Sequence, residues 1–210
     1  MGIRVKTFLS PQYEEMYQKF FLPSLRKAEP NASFEKYEFD IGGNGQFGSP
    51  EFRIAQCIKW KKLFEWLYED SSPLVFCDVD VLFIKPFLAQ IESDSEGVDI
   101  SLQEGYYPKW ANVGVMFIRP TTVTRKFVGD VLEKSISQNL QWDEAIANKL
   151  LFEGKFPYKI LSRRYGSDYH MDNDPLLYHA IPTYPKNPLP CLEQKVNLMS
   201  AVKNKLGLEL

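Results

Sequence analysis

Leu74-Val75-Phe76-Cys77 is an unbroken apolar run that ends on Asp78-Val79-Asp80 and resumes at once as Val81-Leu82-Phe83-Ile84, with Pro86 beyond. A run of that length, opened by Ser71-Ser72-Pro73, reads as a strand buried on both faces, the pattern of a parallel sheet. Such a strand needs helices on either side, which makes α/β the expected class. The two acids arrive at its carboxyl end, the edge where open α/β sheets bind ligands. In extended chain, side chains at i and i+2 point the same way. Two carboxylates so placed repel unless a positive charge lies between them. A hard divalent cation, Mn²⁺ or Mg²⁺, answers that need.

The rest of the chain supplies the expected partners. Ile3–Leu9 reads as a first strand and Gln12–Ala28 as a helix despite Pro23. Phe34–Phe39 reads as a second strand ending at Asp40, and Ile41–Ser49 as a Gly-rich loop. Pro50 then opens a helix over Glu51–Glu69, with Ile54, Cys57, Ile58, Phe64 and Leu67 on its apolar face and Trp60 and Leu63 at the margin. Ile100–Gln103 and Val113–Arg119 read as strands, and Thr124–Asn139 and Asp143–Phe152 as helices. Residues 156–190, rich in Pro, Tyr and Asp, read as long functional loops. Cys191–Leu206 is amphipathic and closes the domain. We expect one domain over 1–210.

Composition excludes several classes. Net charge is −2, with Lys and Arg dispersed, so no footprint for nucleic acid is visible. Three scattered cysteines argue for reduced thiols and a cytoplasmic setting rather than a disulfide framework. No run approaches the roughly 18 apolar residues that span a bilayer, and the N-terminus carries no signal-peptide pattern. The chain is expected as a monomer or as part of a longer multidomain protein.

Leu74–Pro86 resembles the DxD segment of GT-A glycosyltransferases, in particular the nucleotide-diphospho-sugar transferases. Asn112-Val113-Gly114 is similar to the N-x-G strand of those families. Trp142–Asn148 resembles their D-Q-x-x-x-N segment, with Glu144 where Gln is usual. Tyr178-His179-Ala180 with Lys186 resembles their late histidine and lysine. The similarity covers residues 3–187 in order, and the overall pattern also resembles glycosyltransferase domains of large algal (chlorella) viruses. The resemblance implies a GT-A fold, a single domain with a mixed, mostly parallel sheet flanked by helices, with a nucleotide-binding half over 1–110 and an acceptor half plus C-terminal helix over 111–210.

It further implies Asp78, Asp80 and His179 as metal ligands, with Asp78 also touching the donor, and His170 as a spare. Asp143 and Glu144 are the expected catalytic pair; as a bland alternative, they are acids that complement a helix N-terminus. Lys61 or Arg53 would reach the donor. Thr7, Leu9, Tyr13 and Asp40 would face the nucleobase, and Lys186 or Arg163 the diphosphate. Glu104, Tyr106 and Tyr107 would line the acceptor side, and the Tyr165–Tyr184 segment would serve as a lid. The expected reaction is metal-dependent hexose transfer from a UDP-sugar, UDP-glucose first, to a glycan, glycoprotein glycan or other hydroxyl acceptor. It leans to retention and takes place in the cytoplasm (a host's, if the chain is viral). Two alternatives stand beside it. One is a HAD-type phosphatase with Asp78 as nucleophile, against which Leu82 and the late position of the motif count. The other is a non-catalytic binding domain of the same fold.

Overall fold

The computed structural model describes residues 2–42, 49–105, 107, 109–137, 142–167, 171–181 and 191–210. The chain runs β1 (Arg4–Leu9), a 3₁₀ turn (Pro11–Tyr13), α1 (Glu14–Met16), a π turn (Tyr17–Phe21), α2 (Leu22–Ala28), β2 (Ser33–Glu38) and α3 (Pro50–Glu69). Then come β3 (Leu74–Cys77), β4 (Val81–Phe83), α4 (Leu88–Asp94), β5 (Ile100–Glu104), β6 (Ala111–Ile118), α5 (Thr122–Ser137) and α6 (Asp143–Phe152). The order ends with β7 (Lys159–Ile160), β8 (Tyr165–Ser167), β9 (Leu177–His179) and α7 (Cys191–Lys205). The π turn lies just before Pro23, whose ring cannot sit under an ordinary α-helical carbonyl.

The main sheet has the order β2-β1-β3-β6-β5-β7. β1 pairs parallel with β2 and β3, and β5 with β7, while β6 is antiparallel to both of its neighbours. The mostly parallel mixed sheet expected from the sequence is therefore present. Strand alternation divides the interior. On β3, Leu74 and Phe76 join one core with the α3 and α5 side chains, while Val75 and Cys77 join the other with α2 and β4. The β5–β6 register slips between Leu102 and Gln103: Leu102 pairs with Met116 but Gln103 pairs with Asn112. The slack falls on residues 113–115, a bulge that presses Gly114 against the end of β3.

Two expectations change. The buried face of α3 carries Trp60, Leu63, Trp66 and Leu67, whereas Ile54 is exposed. The large indoles can go inside because each N–H finds a carboxylate, Trp60 on Asp143 at 3.0 Å and Trp66 on Glu35 at 2.9 Å. The region read as loops over 156–190 holds three short strands, and Val81–Phe83 is a strand as well. β4, β9 and β8 form a second sheet, with Val81 opposite His179. The Gly-rich segment at 43–48 lies outside the described residues.

Candidate metal and donor site

Parallel β2, β1 and β3 end at one edge of the sheet, and antiparallel β6 begins there. A cavity of about 840 Å³ runs along this edge. Phe39 lines it after β2, Ser10 after β1, Asp78 and Asp80 after β3, and Asn112 at the start of β6. The acids thus sit mid-way. Towards β1 and β2 the wall is Phe8, Phe39, Gln12 and Tyr13; towards β6 it is Tyr107, Trp110, Trp142 and Glu144. Five carboxylates (Glu51, Asp78, Asp80, Asp143 and Glu144) line the cavity with two ammonium groups, Lys59 and Lys195, so acids outnumber bases there.

Asp78, Asp80 and His179 each offer a ligand atom, and these atoms lie within 4.8 Å of one another. The register of the small sheet makes this possible, since the Ala180 N–H donates to the Asp80 carbonyl at 2.9 Å and holds His179 beside the acids. His179 Nδ1 bonds Gln103 Oε1 at 2.8 Å, and the Gln103 amide donates to the Tyr165 carbonyl at 2.6 Å. That chain orients the ring so that Nε2 stands 3.2 Å from Asp80 Oδ1. Two carboxylates and an imidazole oriented in this way fit Mn²⁺ or Mg²⁺. Gly114 belongs to the same construction: a Cβ there would stand 2.2 Å from His179 Cε1 and 2.8 Å from Asp78 Oδ2.

The acids differ in electrostatics. Burial raises the Asp78 carboxyl above the usual range, with Lys59, 3.8 Å away, opposing. Burial would also raise Asp80, but Lys195 and His179 outweigh it and hold Asp80 below the usual range. Lys59 and Lys195 are both raised, since their acidic partners outweigh burial. Glu144 is pushed up to about 6 by burial, with its oxygens accepting from Trp110 Nε1 at 2.6 Å and Asn112 Nδ2 at 2.8 Å.

Asp143 is fully engaged. Its Oδ1 accepts from Gln56 at 2.5 Å and from the Glu144 N–H at 2.8 Å. Its Oδ2 accepts from Trp60 at 3.0 Å and takes Lys59 at 2.9 Å. Asp143 is thus fixed in place by four donors, and both it and Glu144 line the cavity.

The other sequence expectations separate by position. Tyr13 lines the cavity; Asp40 is not among the lining residues, although Phe39 and Ile41 beside it are, and it accepts the Gly42 N–H at 2.8 Å. Thr7 instead donates to the Cys77 carbonyl at 2.7 Å inside the sheet, and Leu9 is buried in the core. Their neighbours Phe8 and Ser10 are the residues that face the cavity. Lys61 is exposed, because two residues along a helix is a rotation of about 200° from Lys59. Arg53 is half-buried on α3, outside the cavity lining. Arg163 is exposed and pairs with Glu104 at 3.1 Å. Lys186, His170, Tyr106 and part of the expected lid lie outside the described residues.

Sequence reasoning missed Lys59, Gln56, Gln103 and Lys195. The phase set by buried Trp60 and Leu63 would have turned Gln56 and Lys59 inward. Lys195 stands on the apolar stripe of α7, between Leu192, Val196 and Met199, and that misfit was its signal.

With the geometry in place, comparison with known proteins is decisive. The family described as nucleotide-diphospho-sugar transferase matches residues 24–204. The chain belongs to that family. Membership displaces the phosphatase alternative. The nucleotide-diphospho-sugar transferase fold is also that of solved GT-A glycosyltransferases. A glycosyltransferase involved in glycosylation of the major capsid of PBCV-1 superposes at TM-score 0.62 with 13% identity, over 94% of this chain and 99% of that one. The galactosyltransferase LgtC, solved with donor and acceptor sugar analogues, gives TM-score 0.59 and 15% identity, over 95% and 96%. The glycosyltransferase GlyE of Streptococcus pneumoniae gives TM-score 0.59 and 12% identity; this chain is covered to 98% but spans 63% of that protein's length. Comparison with curated proteins finds no match. Among the described residues, no helix is long and apolar enough to cross a membrane.

Proposed function

We propose that this glycosyltransferase moves a hexose from a UDP-sugar, UDP-glucose being the first candidate, to a hydroxyl of a glycan or other acceptor, with Mn²⁺ or Mg²⁺ held by Asp78, Asp80 and His179. The observation that carries this reading is the cluster of three ligands in the middle of a long cavity at the sheet edge. A cation there supplies Lewis-acid stabilisation of the departing diphosphate. The diphosphate lies over the end of β3. The nucleoside lies towards β1 and β2, against Tyr13, Phe8 and Phe39, and the sugar towards β6, near Glu144. Within residues 1–110, the ends of β1 and β2 then supply the nucleotide end, while Tyr107 and Trp110 join α6 at the acceptor end. Retention is favoured because Asp143, the more buried acid, is held by four donors. Thermal shift with a panel of nucleotide sugars tests the reading: a UDP-sugar raises the melting temperature when Mn²⁺ is present and not in EDTA. Equal stabilisation in EDTA counts against it, and stabilisation without any transfer or donor hydrolysis would favour a binding domain.

Trp142 is 48% exposed and Tyr107 62% exposed at the sugar end of the cavity, where flat rings suit the apolar faces of a pyranose. Trp142→Ala is expected to raise the acceptor KM roughly tenfold, the loss of one stacking contact. The donor-induced thermal shift should stay as it was. A shift lost together with acceptor affinity would put Trp142 in the donor site instead.

Glu144 also gives a pH dependence. Its carboxyl titrates near 6 in the folded chain against an ordinary 4.5, so the folded state binds the proton more tightly. Its contribution is therefore fully present below pH 4.5 and is lost as pH rises through 6, about 2 kcal/mol in all. Urea unfolding from pH 4 to 7.5 should show that slope, and Glu144→Gln should remove it. An unchanged slope in the variant would assign the titration to another group.

A further inference from the structure

Resting on the donor-site reading above, we propose that Lys195 is a contact for the donor's phosphates, held on Asp80 until a divalent cation and a nucleoside diphosphate arrive together. Asp80 has both oxygens occupied: Oδ1 faces His179 Nε2 at 3.2 Å, and Oδ2 takes the Lys195 ammonium in a direct ion pair. The carboxylate that would hold the cation is therefore neutralised by the chain itself. Lys195 must yield Oδ2 before a cation can take it, since two positive charges on one carboxylate oxygen repel.

A displaced ammonium cannot simply be left behind. Lys195 is deeply placed, with 17% of its side chain exposed, and an ammonium without a counter-charge is costly at such depth. Its other titratable neighbours are the Tyr13 phenol and the Cys191 thiol, which burial keeps protonated. Neither can replace a carboxylate. Asp78 is already shared between Lys59 and the cation site. Lys195, Tyr13 and both acids line one cavity, so the anion within reach of a turning Lys195 is the one a donor brings. A diphosphate bound in this cavity would supply that anion. Cation and nucleotide thereby reinforce each other: each removes the obstacle the other meets.

Lys195→Met keeps the length of the side chain and deletes the charge. Mn²⁺ binding, read from the free-ion electron paramagnetic resonance signal without nucleotide, is expected to tighten about tenfold in the variant. In saturating Mn²⁺, UDP affinity by calorimetry is expected to weaken about tenfold, the scale of one charge-assisted contact. A merely structural lysine would weaken both. Lys195→Arg should stay near the unmodified protein on both axes. If Lys195→Met does not fold, Lys195→Gln carries the same two signs. Manganese affinity that fails to rise in a folded variant overturns the competition, and unchanged UDP affinity overturns the phosphate contact. An unmodified chain that binds no manganese even with UDP present would sink the metal-site reading and this proposal with it.

Discussion

On the proposed reading, Asp80→Ala is expected to lower transfer by roughly a thousandfold or more and to abolish the Mn²⁺-dependent stabilisation by a UDP-sugar, because it removes a carboxylate from the only three-residue group among the described residues that could hold a cation. It should also destabilise the protein without ligand. Asp80 is the counter-charge of Lys195 and the partner of His179, and stripping one member from a buried pair costs about 3–5 kcal/mol. The two effects can be separated. Combining Asp80→Asn with Lys195→Met removes both charges and should recover most of the melting temperature, while transfer stays lost. A double variant that regained metal-dependent transfer would show that Asp80 does not hold the cation. An Asp80→Ala protein with full activity would refute the whole scheme.

Gly114→Ala should be highly damaging for the addition of a single methyl group. The added Cβ would fall 2.2 Å from His179 Cε1, 2.8 Å from Asp78 Oδ2 and 2.9 Å from Asn112 Oδ1. His179 has little room to move, as Gln103 and Asp80 hold its two nitrogens. Asn112 is pinned as well, since its Oδ1 accepts the Gly114 N–H and its amide holds Glu144. Either β6 shifts or the imidazole leaves the acids. Overpacking of this kind costs about 1–3 kcal/mol or more, which for a chain of this size is roughly 3–10 °C in melting temperature. Manganese binding should fall more steeply than stability, because the ligand atoms themselves are pushed apart. A variant that kept its manganese affinity while losing stability would mean that the bulge can relax away from the site.

The lessons for reading the sequence are specific. The apolar run at Leu74–Cys77 was legible because strand, burial and edge position leave one signature, and the observed strand has those limits. Asp143–Phe152 was legible for similar reasons, having a polar start and a regular period. β7, β8 and β9 were not, because strands of two or three residues show no alternation to count. They exist by pairing with partners far along the chain, Val81 with His179 among them. The cation cluster could be suspected from Asp78 and Asp80; its third member, His179, was named only through the family resemblance, because local pattern does not carry that long-range register. Lys59 was hidden by helix phase: the isoleucines and Cys57 suggested one face of α3, and the tryptophans, with carboxylates to receive their N–H groups, took another.

The reversed direction of β6 has a consequence for how such a protein can change. Because that strand enters the sheet where its neighbours leave, one end of the trench is walled by early parts of the chain and the other by the turn into β6 and the start of α6. Substitutions at Tyr107, Trp110 and Trp142 would remodel that second wall while the first, built from other stretches, kept its shape. Under the proposed reading, diversification of what receives the sugar could then proceed one short segment at a time, apart from what delivers it.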